Sequence, residues 1–167
     1  MSLFSATIVL KRITEITPQM LKEQGIEYLL LDVDNTLSTH HGTILIDGLK
    51  DWIEATLNSG IKLMVVSNSK RKRIEPFAAK IGLPFVSLAL KPLPFGYNKA
   101  VKALNANKKN SAIVGDQIFT DVLGGNLSGV QTVLVEPFHL EDTASFKVKR
   151  KLEGLFFKRD YSKLKRK

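Results

Sequence analysis

The chain has 167 residues, no cysteine and a formal net charge of +9, with 44% hydrophobic and 25% charged residues. This is enough chain for one domain to bury a core without staples, and the missing thiols exclude disulfides, thiolate catalysis and cysteine-bound zinc or iron–sulfur clusters. The excess charge is local: residues 146–167 hold ten Lys and Arg against Glu153 and Asp160, which leaves residues 1–145 with 15 basic and 14 acidic groups.

Along the chain, the apolar stretch from Leu3 to Leu10 is interrupted by Ser5 and Thr7 and lacks a preceding basic region, so it does not read as a signal peptide. No run approaches the roughly 18 apolar residues of a membrane span. Thr17-Pro18 reads as an N-cap with proline at the first helical position, and Gly25 stops that short helix. Residues 27–33 (EYLLLDV) are an apolar run ending in acid, the pattern of a buried strand. Residues 47–59 carry Leu49, Trp52, Ile53 and Leu57 at helical spacing, and Gly60 ends the helix. A second buried strand, 61–66, closes on Ser67-Asn68-Ser69. A helix over 71–81 follows, its start blurred by Pro76. Then come a strand at 84–88, a helix at 95–105, a strand at 111–114, a helix at 118–127 and a strand at 130–135.

Strands alternating with helices imply right-handed crossovers and an α/β fold of three layers, Rossmann-like, with helices on both faces of a central parallel sheet. Ligands in such sheets bind beyond the carboxyl ends of the strands. Asp32 and Asp34, Ser67 and Asn68, Lys91, and Asp116 all fall at those ends.

Two carboxylates directly after a hydrophobic strand are not a packing choice, because each costs several kcal/mol unless paired or metal-bound. Each piece also has a plain structural reading. Asp-x-Asp-Asn-Thr is good turn chemistry, Ser67 suits an N-cap, and Lys91-Pro92 can be a solvated lysine before a turn. The run from Gly115 to Asp121 can be a turn and a capped helix. Their common placement at one rim favours phosphoryl transfer through a metal, which needs carboxylates, a hydroxyl and a lysine.

In this order the residues resemble the haloacid dehalogenase superfamily over about residues 28–136: DVDNTL matches its first motif, VVSNS its second, LKP its third and GDQIFTD its fourth. The resemblance implies Asp32 as the nucleophile that forms an aspartyl-phosphate. It implies Asp34 as the acid that protonates the leaving group and then activates water. Ser67 and Asn68 are implied at the phosphoryl oxygens, with Lys91 holding both nucleophile and phosphate. Asp32, Asp116 and the Asp34 carbonyl are implied as Mg²⁺ ligands, with Asp121 a ligand or the support behind one. An oxygen-only ligand set suits Mg²⁺ over zinc. Family dehalogenases and P-type ATPases lack an aspartate at the Asp34 position, so its presence favours phosphatase or phosphotransferase chemistry.

Only 35 residues separate Asp32 from Ser67, and 24 separate Ser67 from Lys91. That leaves no room for a cap domain, so the site is expected to be open, with 38–46 (including His40 and His41) as a small flap. An open site suits a large or surface-presented substrate, or a homo-oligomer that closes it. Within the superfamily the chain resembles the YqeG-like members of subclass IIIA. Their relatives include phosphatidylglycerophosphate phosphatases, which suggests a phospholipid head-group substrate.

The expected division is a catalytic domain, 1–145, and a basic amphipathic segment, 146–167. The segment reads as a peripheral contact to anionic membrane, as a helix docked on the sheet, or as an RNA or ribosome contact. A cytoplasmic protein, peripheral at the inner membrane surface, fits the first. Two other readings compete with the enzyme. A response-regulator receiver uses similar groups in another order, and a binding protein could keep the scaffold while its tail holds RNA or a protein.

Overall fold

The computed structural model describes residues 2–39 and 44–137. Strands β1 (Ile8–Leu10), β2 (Tyr28–Leu31), β3 (Lys62–Val66), β4 (Phe85–Val86), β5 (Ser111–Gly115) and β6 (Gln131–Val135) form one sheet in the order β1-β6-β5-β2-β3-β4. Every neighbouring pair is parallel. Helices α1 (Pro18–Glu23), α2 (Leu49–Asn58), α3 (Arg71–Ile81), α4 (Pro94–Ala103) and α5 (Leu123–Ser128) link them.

Strand alternation supplies both faces. Leu29 and Leu31 pack with Trp52 and Ile53 of α2 and with Ile74 and Phe77 of α3. Leu30, between them, packs with Tyr97, Ala100 and Val101 of α4. Successive side chains of a strand point to opposite faces, so an all-apolar strand can only be one covered by helices on both sides. Burying each such leucine contributes about 1.5–3 kcal/mol. The expected three-layer α/β architecture is therefore the one present. Thr17 caps α1 by accepting from the Met20 backbone N–H, and Trp52 Nε1 donates to the Ile16 carbonyl at 2.8 Å, tying α2 to the lead-in.

Three local points compare with the sequence reading: one unread strand, one altered helix start and one match. The segment Ile8-Val9-Leu10 is a strand that pairs with β6 from Ile8↔Val133 to Leu10↔Val135. Its three residues are too few to announce a strand by periodicity, and the sheet edge recruits them. The expected helix at 118–127 opens as a π-type turn, Ile118–Val122, before α5 begins. Such a wide turn aims a side chain that a regular helix would point elsewhere, and here Asp121 lies buried within it. The helix expected over 71–81 is present with those bounds as α3, and Pro76 lies inside it.

At the expected flap, Ser38 is fully buried, Ile46 N–H donates to the Leu37 carbonyl, and Thr39 N–H donates to that of Ile44. His40 and His41 lie outside the described residues, as does the basic segment 146–167. Among the described residues no helix is long and apolar enough to cross a membrane.

Candidate active site

The carboxyl ends of β2, β3 and β5, with the loop after β4, converge on a pocket of about 170 Å³ lined by Asp32, Asp34, Ser67, Asn68, Ser69, Lys91, Gln117 and Thr120. Asp32 follows β2 and is buried, its backbone N–H donating to the Val114 carbonyl of β5. Asp116 follows β5 and is fully buried. Asp121 arrives from the π-type turn, where the Gln117 backbone N–H donates to its Oδ2 at 3.1 Å. The approach is so close that a Cβ on Gly115 would overlap the Asp121 side chain, which explains a glycine at the end of β5. Tyr97 of α4 holds the turn from the other side, donating its hydroxyl to the Thr120 carbonyl at 2.7 Å.

Lys91 is the cation of this floor. It is buried, and its Nζ lies 2.5 Å from Asp32 Oδ1 and 2.7 Å from Asp121 Oδ1. Asn68 positions it through two hydrogen bonds. The Lys91 backbone N–H donates to Asn68 Oδ1 at 2.7 Å, and Asn68 Nδ2 donates to the Lys91 carbonyl at 3.0 Å. Ser67 is buried beside it, its hydroxyl accepting from the Ser69 backbone N–H at 3.1 Å.

Electrostatics follow from this geometry. Burial raises the Asp32 carboxyl, and Asp121 adds to that; the Lys91 ammonium opposes them, and Asp32 comes to about 7. Burial would lower Lys91, but Asp121 and Asp32 outweigh it, so the ammonium is held charged above its ordinary range. Ligand oxygens of Asp32, Asp116 and Asp121 lie within 4.8 Å of one another. Three buried carboxyl groups gathered this way, two of them bonded to Lys91, offer hard oxygen donors that fit a divalent cation such as Mg²⁺.

The site residues read from the sequence thus come together: Asp32, Asp116, Asp121 and Lys91 on the floor, and Asp34, Ser67 and Asn68 above it. The Asp34 carboxylate does not join the acid cluster. Both its oxygens accept from the guanidinium of Arg73 on α3, which also reaches Ser69 Oγ. Sequence reading missed Arg73. The available signal was the run Lys70-Arg71-Lys72-Arg73 at the start of α3, because cations oppose the positive end of a helix and need another reason to be there.

The lip of the pocket carries a second unread feature. Leu88, Leu90, Leu93 and Phe95 are 51%, 54%, 57% and 59% exposed, while Ala89 and Lys91 between them point inward. Leu88 and Leu90 have φ of 49° and 57°, a left-handed conformation that costs a residue with a Cβ roughly 1–2 kcal/mol.

Comparison with known proteins agrees with this geometry. The family model of haloacid dehalogenase-like hydrolases matches residues 4–129. The chain is 37% identical to "Probable phosphatase YqeG" of Bacillus subtilis, over 94% of this chain and 89% of that protein. It is 28% identical to "Phosphatidylglycerophosphate phosphatase 1, chloroplastic/mitochondrial" of Arabidopsis thaliana, over 91% of this chain but 47% of that protein, so it spans about half of that relative's length. A solved structure described as a haloacid dehalogenase-like hydrolase from Bacteroides fragilis superposes with a TM-score of 0.59 at 15% identity, over 74% of this chain and 93% of that one, which supports the fold. Motifs, fold and relatives agree: the chain belongs to the haloacid dehalogenase-like hydrolase family, as a phosphatase acting on phosphomonoesters.

Proposed function

We propose that this phosphatase works through an aspartyl-phosphate on Asp32, with Mg²⁺ held by Asp32, Asp116, the Asp34 carbonyl and Asp121, and that its substrate is a phospholipid head-group phosphate such as phosphatidylglycerophosphate. The observation that carries the catalytic part is the buried Lys91 ammonium bonded to both Asp32 and Asp121, beside Asp116, at the base of an open pocket. Phosphatases of this family generally use Mg²⁺, and the bound ion would supply charge neutralisation between nucleophile and phosphate.

The residues of the chain then divide the work. An Asp32 oxygen forms a bond to phosphorus as the bond from phosphorus to the leaving oxygen breaks. Lys91 keeps the Asp32 carboxylate in line, and it and Ser67 hold phosphoryl oxygens against the like-charge repulsion of attack. Asp34 gives its proton to the departing alkoxide. It then takes a proton from the water that attacks phosphorus, which frees phosphate and restores Asp32. Arg73, which donates to both oxygens of Asp34, orients that carboxylate at the pocket.

The lipid assignment draws support from the plant relative's name and from the missing cap domain. Only 23 residues lie between Ser67 and Lys91, occupied by α3, β4 and short loops, so a bulky or surface-bound substrate can reach the floor. The scaffold-only alternative rests on residues 146–167, which lie outside the described residues.

The test is a phosphatase panel of phosphatidylglycerophosphate, sugar phosphates, nucleotides and an aryl phosphate, with Mg²⁺ and with a chelator. Release of phosphate from the lipid, dependent on Mg²⁺ and lost in Asp32→Asn, is the expected result. Preference for a soluble phosphate would overturn the lipid assignment, and full activity in the chelator would overturn the metal.

A further inference from the structure

Four of the nine large hydrophobic residues that are exposed among the described residues fall within eight positions, on the loop that delivers Lys91 to the floor and on the first turn of α4. This clustering is not a by-product of local folding. Leu88 and Leu90 occupy left-handed backbone positions that favour Asn or Gly. Leu93 is the N-cap of α4 and caps nothing with its side chain, at a position where Ser, Thr, Asp or Asn is favoured and Leu is among the poorest choices. Three of the four therefore sit where a polar residue would suit the backbone better.

The loop is also held firmly. Leu88 N–H donates to the Ser69 carbonyl at 2.9 Å, Ala89 N–H to that of Ser67 at 3.0 Å, and Gly96 N–H to that of Ala89 at 3.1 Å. A Cβ on Gly96 would overlap Ala89, so the loop is seated directly on the start of α4. A leucine-bearing loop fixed this way stays exposed instead of folding onto the core.

Beside it stands unneutralised positive charge. Through the Leu88–Ser69 hydrogen bond the loop adjoins the start of α3, where Lys70 and Lys72 are exposed. Among the described residues neither has an ion-pair partner, whereas Arg71 is bonded to Glu75 and Arg73 to Asp34. Both lysines oppose the helix dipole. An apolar tip flanked by cations, next to the mouth of a phosphatase pocket, matches a surface that is apolar within and anionic at its face.

We infer that Leu88, Leu90, Leu93 and Phe95, with Lys70 and Lys72, form a docking surface for an anionic lipid bilayer, which brings head-group phosphates to the pocket without extracting the lipid. The inference rests on the lipid reading above and assigns the membrane contact to the catalytic rim, apart from the basic segment 146–167. A bilayer suits the position better than a protein partner. A protein seated on the lip would cover the mouth, while a bilayer is itself the source of the substrate.

The test uses the full chain in flotation with vesicles of phosphatidylcholine alone or mixed equally with phosphatidylglycerol. Wild type is compared with Leu88→Asn/Leu90→Asn/Leu93→Ser/Phe95→Ser and with Lys70→Gln/Lys72→Gln. Asn suits the left-handed positions and Ser suits the N-cap, so the fourfold variant keeps the fold, and hydrolysis of a soluble aryl phosphate at the wild-type rate verifies it. Leu93→Ser and Phe95→Ser alone serve if it does not. The fourfold variant is expected to bind the mixed vesicles about tenfold more weakly or worse, and the double variant to lose the preference for phosphatidylglycerol. Undiminished binding by the fourfold variant would overturn the inference. So would a wild-type oligomer that binds no vesicles and that the same substitutions dissociate, since the surface would then join copies of this chain. Flotation is read without turnover, so vesicle binding that depends on the loop upholds the docking surface even if the panel shows that the lipid phosphate is not cleaved.

Discussion

On the floor of the pocket three carboxyl groups are buried together, two of them bonded to one ammonium, and on its lip, within three residues of that lysine in sequence, leucines stand in solvent. Each region breaks a different rule of globular proteins. Buried charges cost several kcal/mol apiece unless compensated, so the floor is a liability for folding stability. Clustered exposed apolar side chains promote association, so the lip is a liability for solubility. The contrast teaches that one loop can serve two purposes by alternation, sending Ala89 and Lys91 inward and Leu88 and Leu90 outward. It also separates chemistry from access in a way experiments can probe.

The largest effect should come from the floor. Asp32→Asn is expected to lower turnover of every phosphomonoester by about 10⁴-fold or more, with a folded protein by circular dichroism; residual turnover near wild type would place the nucleophile elsewhere. Next, Lys91→Met leaves Asp32 and Asp121 facing each other without their shared cation. Chemical unfolding without metal should show a loss of about 3–5 kcal/mol, and an unchanged midpoint would mean the carboxylates are neutralised by other means. Adding Mg²⁺ to wild type should raise unfolding stability by about 2.7 kcal/mol at roughly a hundredfold excess over Kd, a gain that shrinks in Asp116→Asn.

Arg73→Ala lies between the two regions, because its guanidinium spans from α3 to Asp34. It should lower kcat by about tenfold to a hundredfold on soluble and lipid phosphates alike, through a misplaced Asp34. Arg73→Lys should restore this only in part, lacking the fork that reaches both oxygens. The smallest effect belongs to the lip. Leu93→Ser, placing a capping hydroxyl at the start of α4, should stabilise the fold by about 0.5–1 kcal/mol in thermal unfolding. If it destabilises, Leu93 has a packing role and the contrast between floor and lip blurs.

Much of the floor was legible in the sequence because strand ends and acids announce themselves locally. EYLLLDVDNT is at once a strand and a site, and the order of Ser67, Lys91 and Asp116 at later strand ends reproduces the motif. Arg73 was not legible, because its partner lies 39 residues away and only the fold brings them together. The π-type turn at Ile118–Val122 was hidden by a helical apolar pattern that suits either turn width. The lip was invisible for a further reason. No local pattern marks Leu88, Leu90 and Leu93 as exposed, and only the folded backbone shows which way each faces.

The carboxamide of Asn68 exchanges with the Lys91 peptide the same donor and acceptor pair that a neighbouring strand would. It acts as one extra rung of the β3–β4 ladder, made by a side chain past the point where the backbones part. The lysine is thereby gauged from the sheet and not from the outward residues of its own loop. Those outward residues are free to drift in identity while the spacing of nucleophile and ammonium stays put. A phosphatase built this way can change the surface it works on by substitution at the lip, without retuning its chemistry.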